Sequence, residues 1–505
     1  MTTSAGERAP GSRWHLPRWM LRETYALPVD VFRILVGLLT FAYFISLFLQ
    51  VPDFSSPDGL LDHVLLRRIF WFTRLSLFWA GLPAAFFYGV FALAALLSWC
   101  VVLGYRVKLA AAILYAIAVS TYRWNFVVMY VDDSIMHLLQ LWLLLLPVGR
   151  TLNVPDLVRE GRQCWQRWIR ITVPGTAVYC LLGNLCLLYL VSGLWKLESP
   201  LWWQGFALYA AVRLPIGWFP DIWGPQHLRL LAVGTYAALV IEPLLPVVLL
   251  LRPGHPLKWL GLACMLALHL GIIATLRIPF ANIACLAGGV LFFRDEIMRW
   301  VLGSQQTTVE LARAPRADRG GRVAVTLLIV LSIAMTRRLP VAGFLSHPAY
   351  AVLWVAGIAQ DYQLFNWIDK KNWYGTNQVL SVIHGPRGET INPRTMFPTS
   401  LRGVLLQAYL HDIRWIKVPE DDRPALKHSI LQHLAQRHCN RVANDSVMVL
   451  ADTQRIEPGN EALNHPHRTF LMEFQCHHGQ AVLCQTMVNR ERNRECHWPP
   501  WNWTP

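Results

Sequence analysis

A handful of ionisable side chains interrupt otherwise apolar stretches of this sequence, and chemistry is expected there first. Lys196 closes the run Tyr189-Leu190-Val191-Ser192-Gly193-Leu194-Trp195-Lys196-Leu197. An amine there can act as a general base once it is neutral, and burial in a low-dielectric pocket disfavours ammonium. Position alone favours a plainer reading, a lysine whose stem lies on apolar surface while its amine reaches the interface. Glu242 stands between Ile241 and Pro243 inside another apolar block; such a carboxyl group must be paired or protonated, so it serves a site or joins two helices. His269, in the block after it, is either part of the same site or a core histidine with its hydrogen bonds satisfied. Asp132 and Asp133 suit the N-terminal cap of a helix beginning near Ser134. His137 follows Asp133 by one helical turn, at pairing distance. In a hydrocarbon setting each such group costs roughly 2.5–3.5 kcal/mol on insertion scales, which makes each one a functional candidate.

The elements that must position these residues are long apolar blocks: 29–49, 86–103, 109–128, 134–148, 177–194, 230–251, 257–276 and 279–293. Blocks of this length can cross a hydrocarbon core of about 30 Å. Composition agrees, because 54% of the 505 residues are hydrophobic and only 15% are charged, well below the roughly 25% of soluble domains. A net charge of +15 would suit nucleic acid, but the basic residues lie mostly in short loops beside the blocks. Arg13, Arg18 and Arg22 precede the first block, Arg106 and Lys108 follow the second, and Arg150, Arg159, Arg162, Arg167 and Arg170 follow the fourth. Arg252 and Lys258 follow the sixth, and Arg294, Arg299, Arg313, Arg316, Arg319 and Arg322 the eighth. All fall on one side, which the positive-inside rule makes cytoplasmic. Tryptophans such as Trp14, Trp19, Trp71, Trp79, Trp202, Trp203, Trp218 and Trp223 sit near block ends, where amphipathic rings meet headgroups. The basic start leads into a full-length block without a small-residue cleavage site, so no cleavable signal peptide is expected.

The stretch 323–336 is short for a span and ends in Arg337 and Arg338. If it crosses, the remainder of the chain is extracytoplasmic. From Tyr362 onward, β-like runs such as 446–450 and 469–474 are broken by turns at Gly385-Pro386, Gly388 and Pro458-Gly459. Cys439, Cys476, Cys484 and Cys496 are an even set that can form disulfides in an oxidising compartment. His477, His478 and His497 lie near them, but without a Cys-x-x-Cys pair no metal site is expected. The expected fold is therefore a polytopic α-helical membrane domain of about eight or nine transmembrane helices with a C-terminal, extracytoplasmic, mixed α/β soluble domain. Its organisation is a basic cytoplasmic tail over 1–22, a membrane domain over 23–340 and a soluble domain over 345–505. On this topology Lys196, Asp133 and His269 all come out toward the extracytoplasmic side. A site there, open to lipid and to the soluble domain, suits a lipophilic cosubstrate meeting a polypeptide.

At these residues the sequence resembles the vitamin K-dependent gamma-glutamyl carboxylases and their bacterial relatives, the horizontally transferred transmembrane (HTTM) domain proteins. The likeness covers roughly 27–293. It begins with Val31-Phe32-Arg33-Ile34-Leu35-Val36-Gly37, continues through Gly104-Tyr105-Arg106, and is most specific from Tyr189 to Leu197 with Trp202 and Gly205 close behind. The resemblance implies that Lys196 is the base that deprotonates reduced vitamin K or a related quinol. Trp195 stands where the family has a second lysine, and His269 matches a histidine of the family's later helix. Asp132 and Asp133 replace an asparagine-histidine pair, with His137 a turn away as a substitute. Glu242, Asp133, His137 and Trp195 are the residues expected to bind the quinol, and Lys196 and His269 those expected to act on it. Oxygen and carbon dioxide are the implied cosubstrates, no metal is expected, and the product is a carboxylated glutamate.

The implied partners are membrane lipid, a lipophilic quinone and an exported protein or peptide carrying glutamate, without nucleic acid. The implied setting is a bacterial inner membrane, with the N-terminus cytoplasmic. Of the C-terminal segment, only Gln360-Asp361-Tyr362-Gln363-Leu364-Phe365 and Trp373-Tyr374 resemble the start of the family's soluble portion. A quinone-linked oxidoreductase of the same fold, which fixes no carbon dioxide, is the nearest alternative. A transporter or a maturation partner for exported proteins is a third, with no inverted repeat or pair of matching broken helices behind it.

Overall fold

Leucine, alanine and valine dominate the long blocks, and where charge is absent from their interiors the chain winds into helices that close their own backbone hydrogen bonds, as an apolar medium requires. The computed structural model describes residues 16–213, 216–219, 222–303, 317–336, 343–359, 374–384, 390–391, 398, 400–410, 418–440, 446–455 and 466–486. Helices of ten residues or more are numbered in chain order. They are α1 Ala26–Leu49, α2 Ala84–Val102, α3 Val107–Trp124, α4 Val131–Leu145, α5 Thr176–Lys196 and α6 Leu228–Leu249. They continue with α7 Pro256–Thr275, α8 Pro279–Phe292, α9 Arg319–Met335, α10 Gly343–Val355, α11 Leu401–Leu410 and α12 Arg423–Cys439.

Among the described residues, α1, α2, α5, α6 and α7 are long and apolar enough to cross a membrane. The other expected crossings, 109–128, 134–148, 279–293 and 323–336, are helices too, α3, α4, α8 and α9, but shorter or more polar. One reason is visible in α8, which is walled by α1, α4, α5 and α7. A helix surrounded by protein need not match the thickness of the bilayer by itself. The outer helices show the complementary pattern. In α6, Leu230, Val233, Val240, Leu244 and Val247 form an exposed apolar row, while Leu231, Thr235, Leu239, Glu242 and Leu245 face inward. In α7 the buried stripe is Lys258, Gly261, Met265 and His269. Exposed apolar rows on this scale are unusual on a soluble protein and suit lipid.

A buried ion pair ties the end of the bundle where α1 begins. Asp30 accepts from the backbone amides of Gly149, Arg150 and Thr151 and from the Thr151 hydroxyl at 2.6–3.0 Å. Arg33 bonds Asp30 at 2.8 Å and spends its remaining donors on the carbonyls of Val101, Val102, Thr151 and Leu152. It thereby satisfies carbonyls that the end of α2 leaves without an intrahelical partner.

Two short strands, β1 Glu23–Tyr25 and β2 Thr172–Pro174, pair beside this end. Toward the C-terminus, β3 Tyr374–His384, β4 Thr390–Ile391, β5 Ser446–Arg455, β6 Pro466–His477 and β7 Gln480–Thr486 are arranged in the antiparallel order β4-β3-β5-β6-β7. The runs 446–450 and 469–474 fall in β5 and β6. Cys439 and Cys476 form a disulfide, and Cys484 is disulfide-bonded as well. The expected turns at Gly385-Pro386, Gly388 and Pro458-Gly459, the segment Gln360–Phe365, and Trp14, Trp373, Cys496 and His497 lie outside the described residues.

Candidate active site

Tyr189, Ser192 and Lys196 are spaced by three and four residues, so they share one face of α5, and all three are buried. That face meets α6 where Gly193 stands. A Cβ there would lie 2.6 Å from Pro243 Cδ and 2.9 Å from Pro243 N, so only glycine permits the approach. Glu242, adjacent to that contact, is thereby brought to the end of α5. Lys196 Nζ donates to Glu242 Oε2 as an ion pair and to Ser192 Oγ at 3.1 Å, and Ser192 Oγ donates to Glu242 Oε2 at 3.1 Å. The lysine side chain is only 3% exposed. This overturns the interfacial reading of Lys196: the amine is held inside the protein by a carboxylate from the next long helix. Coulomb attraction within the pair offsets the cost of taking both charges out of water, and removing either partner leaves the other uncompensated.

A second chain of hydrogen bonds stands beside the first. Tyr189 OH meets His269 Nε2 at 2.6 Å, and His269 Nδ1 meets Asn282 Oδ1 of α8 at 2.8 Å. The Asn282 amide nitrogen donates to the Ile278 carbonyl at 2.6 Å, so its oxygen is the atom presented to the imidazole. Nδ1 must then carry the proton, and Nε2 accepts from the tyrosine. His269 also feels the charges of both Glu242 and Lys196. Tyr189 shares its buried face of α5 with Ser192 and Lys196, so the two chains stand side by side.

Around Lys196 the short helix Pro200–Trp203 folds back over the end of α5. The amine lies 5.1 Å from the centroid of the Trp202 ring, a cation–π contact. Trp202 is 5% exposed and Ser199 1% exposed. Neither the indole Nε1 nor the serine Oγ has a hydrogen-bond partner among the described residues. Trp195, next to Lys196 in sequence, is half-buried.

The residues around the start of α4 form a separate cluster. The helix starts at Val131, not near Ser134, so Asp133 lies in its first turn and reaches back to accept from the Tyr130 amide at 2.7 Å, and it also accepts from Tyr43 OH at 2.8 Å and Arg402 Nη2 at 2.7 Å. Asp132 does not cap its own helix. It accepts from the amides of Phe280 and Ala281 at 3.2 and 2.9 Å, at the N-terminus of α8, where a carboxylate suits the unpaired amides and the helix dipole. His137 is not paired with Asp133, because its Nδ1 donates to the Gly357 carbonyl at 2.9 Å and that carbonyl fixes the ring away from the aspartate. No hydrogen bond or ion pair among the described residues joins Asp133 or His137 to Lys196 or Glu242.

The sequence alone assigns no role to Ser192, Asn282, Tyr43 or Arg402. The three-and-four spacing of Tyr189, Ser192 and Lys196 signals the first, and a lone asparagine in the apolar run of α8 signals the second. Nothing local signals Arg402. Among the described residues no group of three or more histidine, cysteine or acidic side chains is placed to hold a metal ion.

Fold and site together define a mostly helical, membrane-embedded protein with a buried lysine–glutamate pair beside a tyrosine–histidine–asparagine chain. Comparison of the chain with known protein families, characterised proteins and solved structures finds no match.

Proposed function

We propose that this protein is a quinol-dependent membrane enzyme of the gamma-glutamyl carboxylase type, working at the extracytoplasmic edge of a bacterial inner membrane. The observation that carries the reading is the Lys196 amine, buried at the end of α5 and shared between Glu242 and Ser192. A lysine kept only for solubility or lipid anchoring has no use for such partners. The Lys196 Nζ–Glu242 Oε2 contact is a path along which one proton can pass between amine and carboxylate. With that proton on Glu242, the amine lone pair is free to take a proton from an aromatic hydroxyl, leaving a lysine ammonium beside the new negative charge. A charge-neutral resting pair lets the site accept an uncharged, lipophilic substrate without a net charge already buried. The substrate supplies the rest of the chemistry implied by the resemblance, in which its oxygenation to an epoxide drives removal of a glutamate γ proton and addition of carbon dioxide. The His269–Tyr189 pair is a second proton carrier within the same site.

Purified protein in mild detergent, supplied with a reduced naphthoquinone and a glutamyl peptide, tests this. The parent is expected to consume the hydroquinone in air and to incorporate labelled carbon dioxide. Hydroquinone consumption without incorporation would instead support the oxidoreductase alternative. Lys196→Ala is expected to abolish consumption, and so is Lys196→Arg, because guanidinium keeps charge and reach but cannot give up its proton near neutral pH. Full activity in the arginine variant would show that Lys196 supplies charge only, and would remove the base from the mechanism.

A further inference from the structure

The two consecutive tryptophans after Lys196 are treated differently by the fold. Trp203 is 57% exposed and its indole N–H donates to the Leu197 carbonyl at 2.6 Å, an ordinary arrangement for an interfacial ring. Trp202 is buried, stacked against the Lys196 amine, and its N–H has no acceptor among the described residues. An indole nitrogen can only donate. Burying such a donor unpaired costs about 1–3 kcal/mol, so its retention beside a buried amine calls for a reason. The Ser199 hydroxyl, three residues from each of Lys196 and Trp202, is buried and likewise has no partner among the described residues. Amine, indole N–H and hydroxyl together offer hydrogen-bond donors, while the nearby acceptor, Glu242 Oε2, is already engaged by Lys196 and Ser192. A donor set of this kind complements an oxygen atom that carries or acquires negative charge.

We propose that Trp202 Nε1 and Ser199 Oγ form a donor pair for the oxygen of an aromatic hydroxyl from which Lys196 takes its proton. The O–H bond breaks, the proton goes to the lysine amine, and the electron pair stays on the oxygen, where the two donors hold it. Such donors act most strongly where charge develops and water is excluded. This deepens the function proposed above by naming the atoms that recognise the substrate, and it rests on that reading for the identity of the ligand.

The test separates recognition of charge from recognition of shape. Two probes of the same size are used, neutral 1,4-naphthoquinone and a 2-hydroxy-1,4-naphthoquinone, which is anionic at neutral pH. Their dissociation constants are measured on detergent-purified parent, Trp202→Phe and Ser199→Ala. Trp202→Phe keeps an aromatic ring over the amine and removes the N–H. The parent is expected to bind the anion about ten-fold or more tighter than the neutral probe, and each variant to lose most of that preference while binding the neutral probe within about two-fold. Loss of affinity for both probes in parallel would mean that Trp202 only shapes the pocket, and would overturn the proposal. An unchanged preference in both variants would overturn it too, yet would leave the Lys196 assay and the proposed function standing. Failure of the parent to bind either probe would defeat the proposal together with the quinol reading. Ser199→Ala, a change of one atom, keeps the test decisive should Trp202→Phe fold poorly.

Discussion

At the scale of single residues, the Lys196–Glu242 pair makes a prediction independent of any substrate. Glu242→Gln leaves a buried amine facing a neutral amide and is expected to lower stability by about 3–5 kcal/mol, read as a clear drop in the thermal midpoint. Lys196→Met with Glu242→Leu, which replaces both charges by apolar groups of similar size, is expected to recover most of that loss while remaining inactive. A double variant no more stable than the single one would show that the pair is not the unit. His63 offers a pH-dependent counterpart outside the spans. It is buried, stacked on Trp124 at 4.0 Å and bonded to Asn125 at 3.2 Å, and burial pushes its pKa from 6.5 down to about 4. Between those values the unfolded chain binds a proton that the folded one does not, so stability is full above pH about 6.5 and is lost as the pH falls toward about 4. The contribution is at most about 3 kcal/mol. His63→Phe keeps the stack on Trp124 and should flatten the dependence of the thermal midpoint on pH across that window.

The helix pair α5–α6 is the element on which the site depends. The two helices approach closely where Gly193 meets Pro243, and two prolines in α6, Pro243 and Pro246, remove amides that would otherwise bond the preceding turn. Gly193→Ala is expected to force the helices apart, at a cost of about 1–3 kcal/mol, and to lower activity more than stability because the displacement falls between Lys196 and Glu242. Gly89→Ala is the control. Gly89 lies in α2 with open space around it, so alanine there should be neutral or slightly stabilising through helix propensity. Parental activity in Gly193→Ala would mean that the helix approach does not set the geometry of the pair.

Across the whole molecule, the C-terminal segments close onto the end of the bundle that carries the site. Arg402 reaches Asp133, Arg437 pairs with Asp53 at 2.7 Å, and the Gly357 carbonyl holds His137. Leu426, Ile430 and Leu434 of α12 share an apolar cluster with Phe54, Leu60 and Leu66 from the segment between α1 and α2. That segment follows α1, so with α1 as the first span and the basic N-terminus cytoplasmic, as the positive-inside rule leads one to expect, α12 is expected on the extracytoplasmic side with it. The Cys439–Cys476 disulfide fits an oxidising compartment. Thiol labelling of intact cells after reduction is therefore expected to reach Cys439 and Cys476 without permeabilising the membrane. Labelling that requires permeabilisation would place α12 in the cytoplasm and reverse the topology.

By itself the sequence determined the apolar blocks and the residues that carry a cost in an apolar setting, Lys196, Glu242 and His269 among them. Block length and charge are local properties, and they survive without knowledge of neighbours. Only the tertiary structure decided which of these residues meet. In α6 nearly every face is apolar, because lipid and protein interior make the same demand on a side chain, so no periodicity announces that Glu242 faces α5 rather than lipid. Lys196 and Glu242 are 46 residues apart, and Arg402 and Asp133 are 269 apart. The plainer reading of Lys196 as an interfacial lysine, and the pairing of His137 with Asp133, failed for the same reason: both rested on neighbours in the chain, whereas a buried polar group takes whichever partner packing brings within hydrogen-bond reach.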